Sequence, residues 1–270
     1  SNDTATASPK GPLSAAKKYR GATGNASFGY FGGGFPRVST VDRVDYSNDT
    51  ATAAAKGPLS GVRNSLAAVS SRANAIPLKG PGNLEVPVAF GAFSRNFGPQ
   101  GTDFGYVGGG SYPSVSSRKS SVDRIDYSND SATASPKGNL SRTTQNHGGA
   151  SSVTGGYFFG RFPSASTVDR IDYGNDTATA VVKGPLSLAR GYIASTGNAD
   201  FGYTGGDYPS KTTLDRLDYA DDTSTAVVKG PLTVARWGLA ATGNQSFGYF
   251  VGGLGKTTVD RVDYSNDSVT

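Results

Sequence analysis

The sequence predicts an all-β fold, a single β-propeller of four-stranded blades spanning residues 1–270, on three observations. The segment Val41-Asp42-Arg43-Val44-Asp45-Tyr46 recurs at 122–127, 168–173, 214–219 and 259–264, its starts 81, 46, 46 and 45 residues apart. Phe28-Gly29-Tyr30, followed by a glycine cluster, recurs from Phe104, Phe201 and Phe247, with a worn copy at Gly155-Gly156-Tyr157. Lys-Gly-Pro-Leu begins at Lys10, Lys56, Lys183 and Lys229, and Lys137-Gly138-Asn139-Leu140 is its variant. A period of this length holds four short strands, which is the spacing of a propeller blade. No segment has helical periodicity.

The elements follow in order. Strand 1 resembles Ala235–Thr242 and is rich in small residues. Gly243-Asn244 suits the turn into strand 2, typified by Phe247–Val251. Strand 3 is the hexapeptide region, as in Thr258–Tyr264. Ser47-Asn48-Asp49 suits the next turn, because Asn and Asp bond their own backbone. Strand 4 alternates Thr, Ala and Val, as in Thr223–Val228, and the proline of Lys-Gly-Pro-Leu stops it.

Strands 2 and 3 occur in five clear copies. We expect six blades, five regular and one degenerate and shortened over 72–103; a five-bladed ring with an insertion at 72–103 is the alternative. Ser1–Thr6 matches Ser47–Thr52 and so reads as a fourth strand. Residues 4–7 are expected to pair with the strand at 259–264, closing the ring and removing an open edge.

Gly32-Gly33, then Val41–Tyr46, then a polar turn resembles the kelch repeat. That repeat ends strand 2 on two glycines and places a Trp in strand 4, where this chain has Ala51 and Ala53. The resemblance covers nearly the whole chain outside 72–103 and implies the propeller fold rather than an activity. The unit is also similar to repeats of marine phage proteins.

The composition narrows the chemistry. Net charge is +5, with Lys and Arg spread one or two per repeat, so no nucleic-acid partner is expected. There is no Cys for disulfide or thiolate chemistry and no apolar run long enough to span a membrane. No signal peptide is visible, and the absence of Met even at position 1 reads as a piece of a longer polypeptide. Glu85, His147 and Trp237 are each the only residue of their type. A Ser-His-Asp site would need His147, and zinc needs Cys or clustered His. Kelch-like copper oxidases need several His and a Cys-linked Tyr, and sialidase-type propellers need boxes this chain lacks. No enzyme activity, catalytic residue, cofactor or metal is therefore expected. The Asp45–Asp49 turn carries several oxygen ligands but lacks calcium-loop spacing, and it reads as turn capping. Arg43, Arg124, Arg170, Arg216 and Arg261 share a strand face with the Asp two residues on, which reads as an ion pair internal to each blade.

The expected function is a non-catalytic binding or structural module within a larger extracellular or virion assembly of tail or fibre type. The alternative is a carbohydrate-binding, lectin-like propeller. The expected partner is a protein or a surface glycan, with head-to-tail self-association. Candidate binding residues are Tyr112, Arg118, Lys119, His147, Tyr208 and Trp237, which offer aromatic stacking and hydrogen bonds in irregular parts of the repeat. The irregular segments 72–103, 111–121 and 142–156 are expected to meet the partner. Finally, lysines 10, 56, 137, 183 and 229 are expected to ring one face of the disc, and aspartates 3 or 267, 49, 130, 176 and 222 the other.

Overall fold

The computed structural model describes residues 6–71, 104–114 and 116–270. They form five four-stranded antiparallel sheets. Blade 1 holds β1 (Gly21–Gly24), β2 (Phe28–Gly32), β3 (Val41–Asp45) and β4 (Ala54–Lys56). Blade 2 holds β5 (Ala67–Ser70), β6 (Phe104–Gly108), β7 (Val122–Asp126) and β8 (Ser135–Lys137). Blade 3 holds β9 (Gly148–Ser151), β10 (Gly155–Arg161), β11 (Ala165–Asp172) and β12 (Val181–Lys183). Blade 4 holds β13 (Ala194–Gly197), β14 (Phe201–Gly205), β15 (Leu214–Asp218) and β16 (Val227–Val228). Blade 5 holds β17 (Ala240–Gly243), β18 (Phe247–Val251), β19 (Val259–Asp263) and β20 (Ser268–Val269).

The blade count corrects the expectation of six. β5 pairs directly with β6, Ala67 opposite Gly108 and Ser70 opposite Gly105. Segment 72–103 therefore falls inside the first hairpin of blade 2, and its assignment as a degenerate blade lies outside the described residues.

Local chemistry fixes each turn. The Asn25 side chain accepts from the Ser27 and Phe28 N–H groups at 2.9 Å, and Asn198 and Asn244 repeat this. The Asp45 carboxylate accepts from the Ser47 N–H at 2.9 Å and its hydroxyl at 2.6 Å, which holds its pKa below the usual value. Asp126, Asp172, Asp218 and Asp263 cap the same turn. Glycines ending strand 2 take positive φ, as at Gly33 (65°), Gly109 (65°) and Gly206 (83°), where a side chain would be strained.

The core lies between blades. Tyr30 stacks on Tyr127 with ring centres 4.8 Å apart, and Tyr106–Tyr173, Tyr157–Tyr219 and Tyr203–Tyr264 repeat the pair at 5.2, 4.6 and 4.7 Å. Each joins the strand 2 tyrosine of one blade to the tyrosine after strand 3 of the next. The same step carries a charge cluster. Asp130 of blade 2 receives the Tyr30 hydroxyl at 2.9 Å, Arg43 at 2.8 Å and Lys56 at 3.2 Å, all from blade 1. Asp176 receives Tyr106, Arg124 and Lys137; Asp222 receives Tyr157, Arg170 and Lys183; Asp267 receives Tyr203, Arg216 and Lys229. These contacts correct two expectations. Arg43, Arg124, Arg170 and Arg216 of strand 3 bridge blades rather than pair inside one, because the Asp two residues on is already capping a turn. The lysines and aspartates are partners, not rings on opposite faces.

The rest of Lys-Gly-Pro-Leu belongs to this step too. The Gly57 N–H donates to the Asp130 carbonyl at 2.8 Å, and the Pro58 carbonyl accepts from the Ala134 N–H at 2.8 Å. A Cβ on Gly57 would stand 1.8 Å from the Ala132 carbonyl oxygen, so only glycine allows this approach; Gly138 and Gly184 meet Ala178 and Ser224 in the same way. Leu59, Leu140, Leu186 and Leu232 then enter the core. Strand 4 is shorter than expected because residues before it, such as Ala226, bond to the preceding blade's linker instead.

The inner strands pack in succession, β1 on β5, β5 on β9, β9 on β13 and β13 on β17; no comparable packing joins β17 to β1 among the described residues. Val41, Val122, Val168 and Leu214 are fully buried, whereas Val259 at the same position of blade 5 is 52% exposed. Closure by the N-terminal residues is likewise corrected. β19 takes β20 as its fourth strand, Val262 opposite Val269 and Asp263 opposite Ser268; residues 6 and 7 form no strand, and residues 4 and 5 lie outside the described residues. The local hairpin wins because Asp267 takes a left-handed conformation (φ 60°) that turns the chain straight back onto β19.

Candidate functional site

The residue two positions before the inner strand of each blade stands in left-handed conformation: Tyr19, Ser65, Asn146, Tyr192 and Gly238. Such a conformation is costly for Tyr. It is held by hydrogen bonds around the blade axis. Ser65 N–H donates to the Tyr19 carbonyl (2.8 Å), Asn146 to Ser65 (3.0 Å), Tyr192 to Asn146 (2.7 Å) and Gly238 to Tyr192 (2.9 Å).

Around this mouth the loops between strands 2 and 3 present aromatic residues, each followed by a cis proline: Phe35, Tyr112, Phe162 and Tyr208. Phe162, Tyr192, Tyr208 and Trp237 form one continuous shelf. Trp237 meets Tyr192 at 5.2 Å and Tyr208 at 5.3 Å, both edge-on, and Phe162 meets Tyr192 edge-on at 5.1 Å. Edge-on pairs of this kind contribute roughly 0.5–1.5 kcal/mol each beyond area burial. Tyr208 nonetheless remains 48% exposed. Burial raises the Tyr192 phenol's pKa, and the nearby Tyr19 and Tyr208 phenols add to it. Lys18 lies over both Tyr19 and Phe35 at 5.3 Å, adding a cation beside the shelf.

A buried carboxylate supports the shelf. Asp207 accepts from the Tyr208 N–H at 2.7 Å and the Gly191 N–H at 3.1 Å. Burial raises its pKa against those two hydrogen bonds.

The six sequence candidates separate. Tyr208 and Trp237 belong to the shelf. Tyr112 is exposed in the corresponding loop of blade 2 and shares none of these ring contacts among the described residues. Arg118 is half-buried in that loop, bridged through its backbone to Ser111, and Lys119 bridges to Thr144 with its side chain exposed. His147 is inside blade 3 rather than on the surface, 4% exposed and 5.7 Å from the Phe158 ring. Burial pushes its pKa down to about 3, and the Gly108 backbone offsets little of that. Phe162, Tyr192, Tyr19 and Phe35 were missed. The signal was present, since an aromatic residue precedes proline in four of the five loops between strands 2 and 3.

Among the described residues no group of three His, Cys, Asp or Glu side chains could hold a metal ion. Nor, among the described residues, is any helix long and apolar enough to cross a membrane. The chain matches no known family model, and no curated protein is similar to it.

Proposed function

We propose that the chain is a non-catalytic structural and binding module, a kelch-like repeat block that joins blades of the same type end to end within a larger extracellular or virion assembly. One observation carries this reading: the free side of blade 1 and the free side of blade 5 are the two halves of the interface built at each internal step. Blade 1 offers Asp49, which holds Lys10 at 3.2 Å and is otherwise open, and Tyr46, 53% exposed where Tyr127, Tyr173 and Tyr264 are buried. Blade 5 offers Val259 and the exposed Ala240 and Thr242 of its inner strand. An isolated block leaves both halves in water, whereas each junction between copies placed end to end covers one half from each. Light scattering over a concentration series tests this. Self-association is expected, weakened by salt and lost in Val259→Asp and Asp49→Lys. A monomer at every concentration and salt would overturn it.

The aromatic shelf favours a second reading, binding of a surface glycan. Exposed Tyr208 and part-exposed Trp237 offer flat apolar faces with polar edges, the kind of surface a pyranose ring stacks on. Screening the protein on a glycan array tests it: Trp237→Ala should lose any signal, and a blank array would remove this reading without touching the first.

A further inference from the structure

Each blade carries a buried aspartate at the second position of the repeated hexapeptide: Asp42, Asp123, Asp169, Asp215 and Asp260. In blades 2, 4 and 5 a guanidinium from the preceding linker neutralises it. Arg63 pairs with Asp123, Arg190 with Asp215 at 2.5 Å and Arg236 with Asp260 at 2.7 Å. The same guanidinium groups also donate to backbone carbonyls. Arg190 reaches Thr213 at 2.8 Å, Arg63 reaches Ser121 at 3.0 Å and Arg236 reaches Thr258 at 3.0 Å. Blade 1 reaches the same result from a different position, with Arg20 on Asp42 at 2.7 Å.

Blade 3 has neither arginine. Thr144 stands where Arg63, Arg190 and Arg236 stand, and His147 stands where Arg20 stands. Asp169 keeps its hydrogen bonds from Ser141, N–H at 3.1 Å and hydroxyl at 2.6 Å, but has no ion pair among the described residues. A cavity remains, lined by Thr144, His147, Phe158, Gly160, Thr167 and Asp169 together with Arg142 and Arg161. The Thr144 hydroxyl is buried here without a hydrogen-bond partner, and His147 has the Gly108 backbone as partner for one ring nitrogen, which leaves the other facing no polar group. Orphaned buried polar atoms of this kind are expensive and mark a missing ligand or water.

We propose that this blade 3 cavity is a receptor for a guanidinium group from outside the chain, which takes the place that Arg63, Arg190 and Arg236 fill elsewhere. Asp169 supplies the charge, the Thr167 carbonyl the second acceptor, and neutral His147 a further acceptor that does not repel a cation. Guanidinium suits the site better than ammonium because its planar fork serves carboxylate and carbonyl together. The lining arginines, Arg142 and Arg161, oppose entry, and Arg142, whose charge already acts on Asp169, is the competing occupant.

His147 is the only histidine, so its imidazole NMR signals report on this cavity alone. Titrating the whole chain with methylguanidinium should move those signals saturably and raise the melting temperature, while methylammonium at equal ionic strength should do neither. Thr144→Arg should melt higher than wild type and no longer respond, because its own side chain fills the cavity. Asp169→Asn should stay folded and lose the response, and Arg142→Ala should bind more tightly. Tighter binding of N-acetyl-arginine amide than of methylguanidinium points to an arginine side chain as the natural occupant, and equal binding to a free small cation. A wild-type His147 signal that never saturates, or a Thr144→Arg variant that melts lower while still folded, overturns the proposal.

Discussion

Tyr46 and Tyr127 end the same hexapeptide, yet Tyr127 is buried beneath Tyr30 while Tyr46 is 53% exposed. Asp49 and Asp130 close the same turn, yet Asp130 collects Tyr, Arg and Lys from the preceding blade while Asp49 holds Lys10. The blade sequence is the same on both sides of this comparison, and only the neighbour differs. The repeated residues are therefore parts of an interface between blades, and a blade by itself completes none of its own clusters. This is why four strands of few residues each suffice: the apolar and charged groups that a small sheet cannot cover are covered by the next sheet.

The comparison can be broken by mutation. The largest effect is expected at an internal aspartate. Asp176→Ala leaves Arg124, Lys137 and Tyr106 without their acceptor and should cost about 3–5 kcal/mol in urea unfolding, whereas Asp49→Ala should cost ~1 kcal/mol or less. Equal losses would mean that the internal clusters are no different from a surface pair. Next comes Gly138→Ala, whose Cβ would meet the Ala178 carbonyl at 1.8 Å; forcing the blades apart should cost roughly 1–3 kcal/mol. Gly61→Ala, with nothing within 4 Å, should be neutral within about 0.5 kcal/mol. Val122→Ala should then cost about 2 kcal/mol and Val259→Ala almost nothing in dilute solution, since only the first removes buried surface.

The smallest effect is in acid. Burial raises the Asp130 and Asp267 pKa values, but the hydrogen bonds from Tyr, Lys and Arg outweigh it, and both lie below the ordinary value. A carboxylate depressed by folding stabilises above its unfolded pKa and loses that contribution as pH falls through its folded one. Asp169 has the opposite sign: burial raises its pKa, so its ionised form opposes folding at neutral pH. Urea midpoints from about pH 6 to about pH 3 should fall less steeply in Asp130→Asn than in wild type, and Asp169→Asn should not show that relief.

Much of this was legible beforehand. The period, the order of strands and the asparagine and aspartate turns follow from residues close together in the chain. What joins the blades does not. Asp45 lies two residues from Arg43 and looks like its partner, but the Ser47 N–H and hydroxyl take that carboxylate first, and Arg43 reaches Asp130 instead. Lys56 and Asp130 are far apart in sequence, so their pairing could not be read from spacing, and the two residue types looked like opposite rings. The shelf was half visible: Tyr208 and Trp237 stood out as aromatic residues, whereas Tyr192 joins them only because it takes a left-handed conformation at the blade axis. His147 stood out as the only histidine and as a candidate surface binder, and its place in a buried cavity appears only beside the arginines that blade 3 lacks.

The central claim is that the free sides of blades 1 and 5 are two halves of one interface between copies. Inside blade 2, where β7 pairs with β8, Val122 lies opposite Lys137. Ser8-Pro9-Lys10 repeats Ser135-Pro136-Lys137, and the chain's own C-terminal residues cover β19 only from Arg261 to Asp263, so Pro9-Lys10 of a second copy would extend that ladder with Lys10 opposite Val259. Antiparallel partners stand about 4.5–5.5 Å apart, within disulfide reach. The chain has no cysteine of its own, so Lys10→Cys with Val259→Cys gives an unambiguous readout on a non-reducing gel. Oxidation should produce a ladder of covalent oligomers, suppressed by Asp49→Lys. A crosslink confined to the monomer would mean that the chain closes on itself, and no crosslink would mean that the two sides never meet; either result would contradict the account.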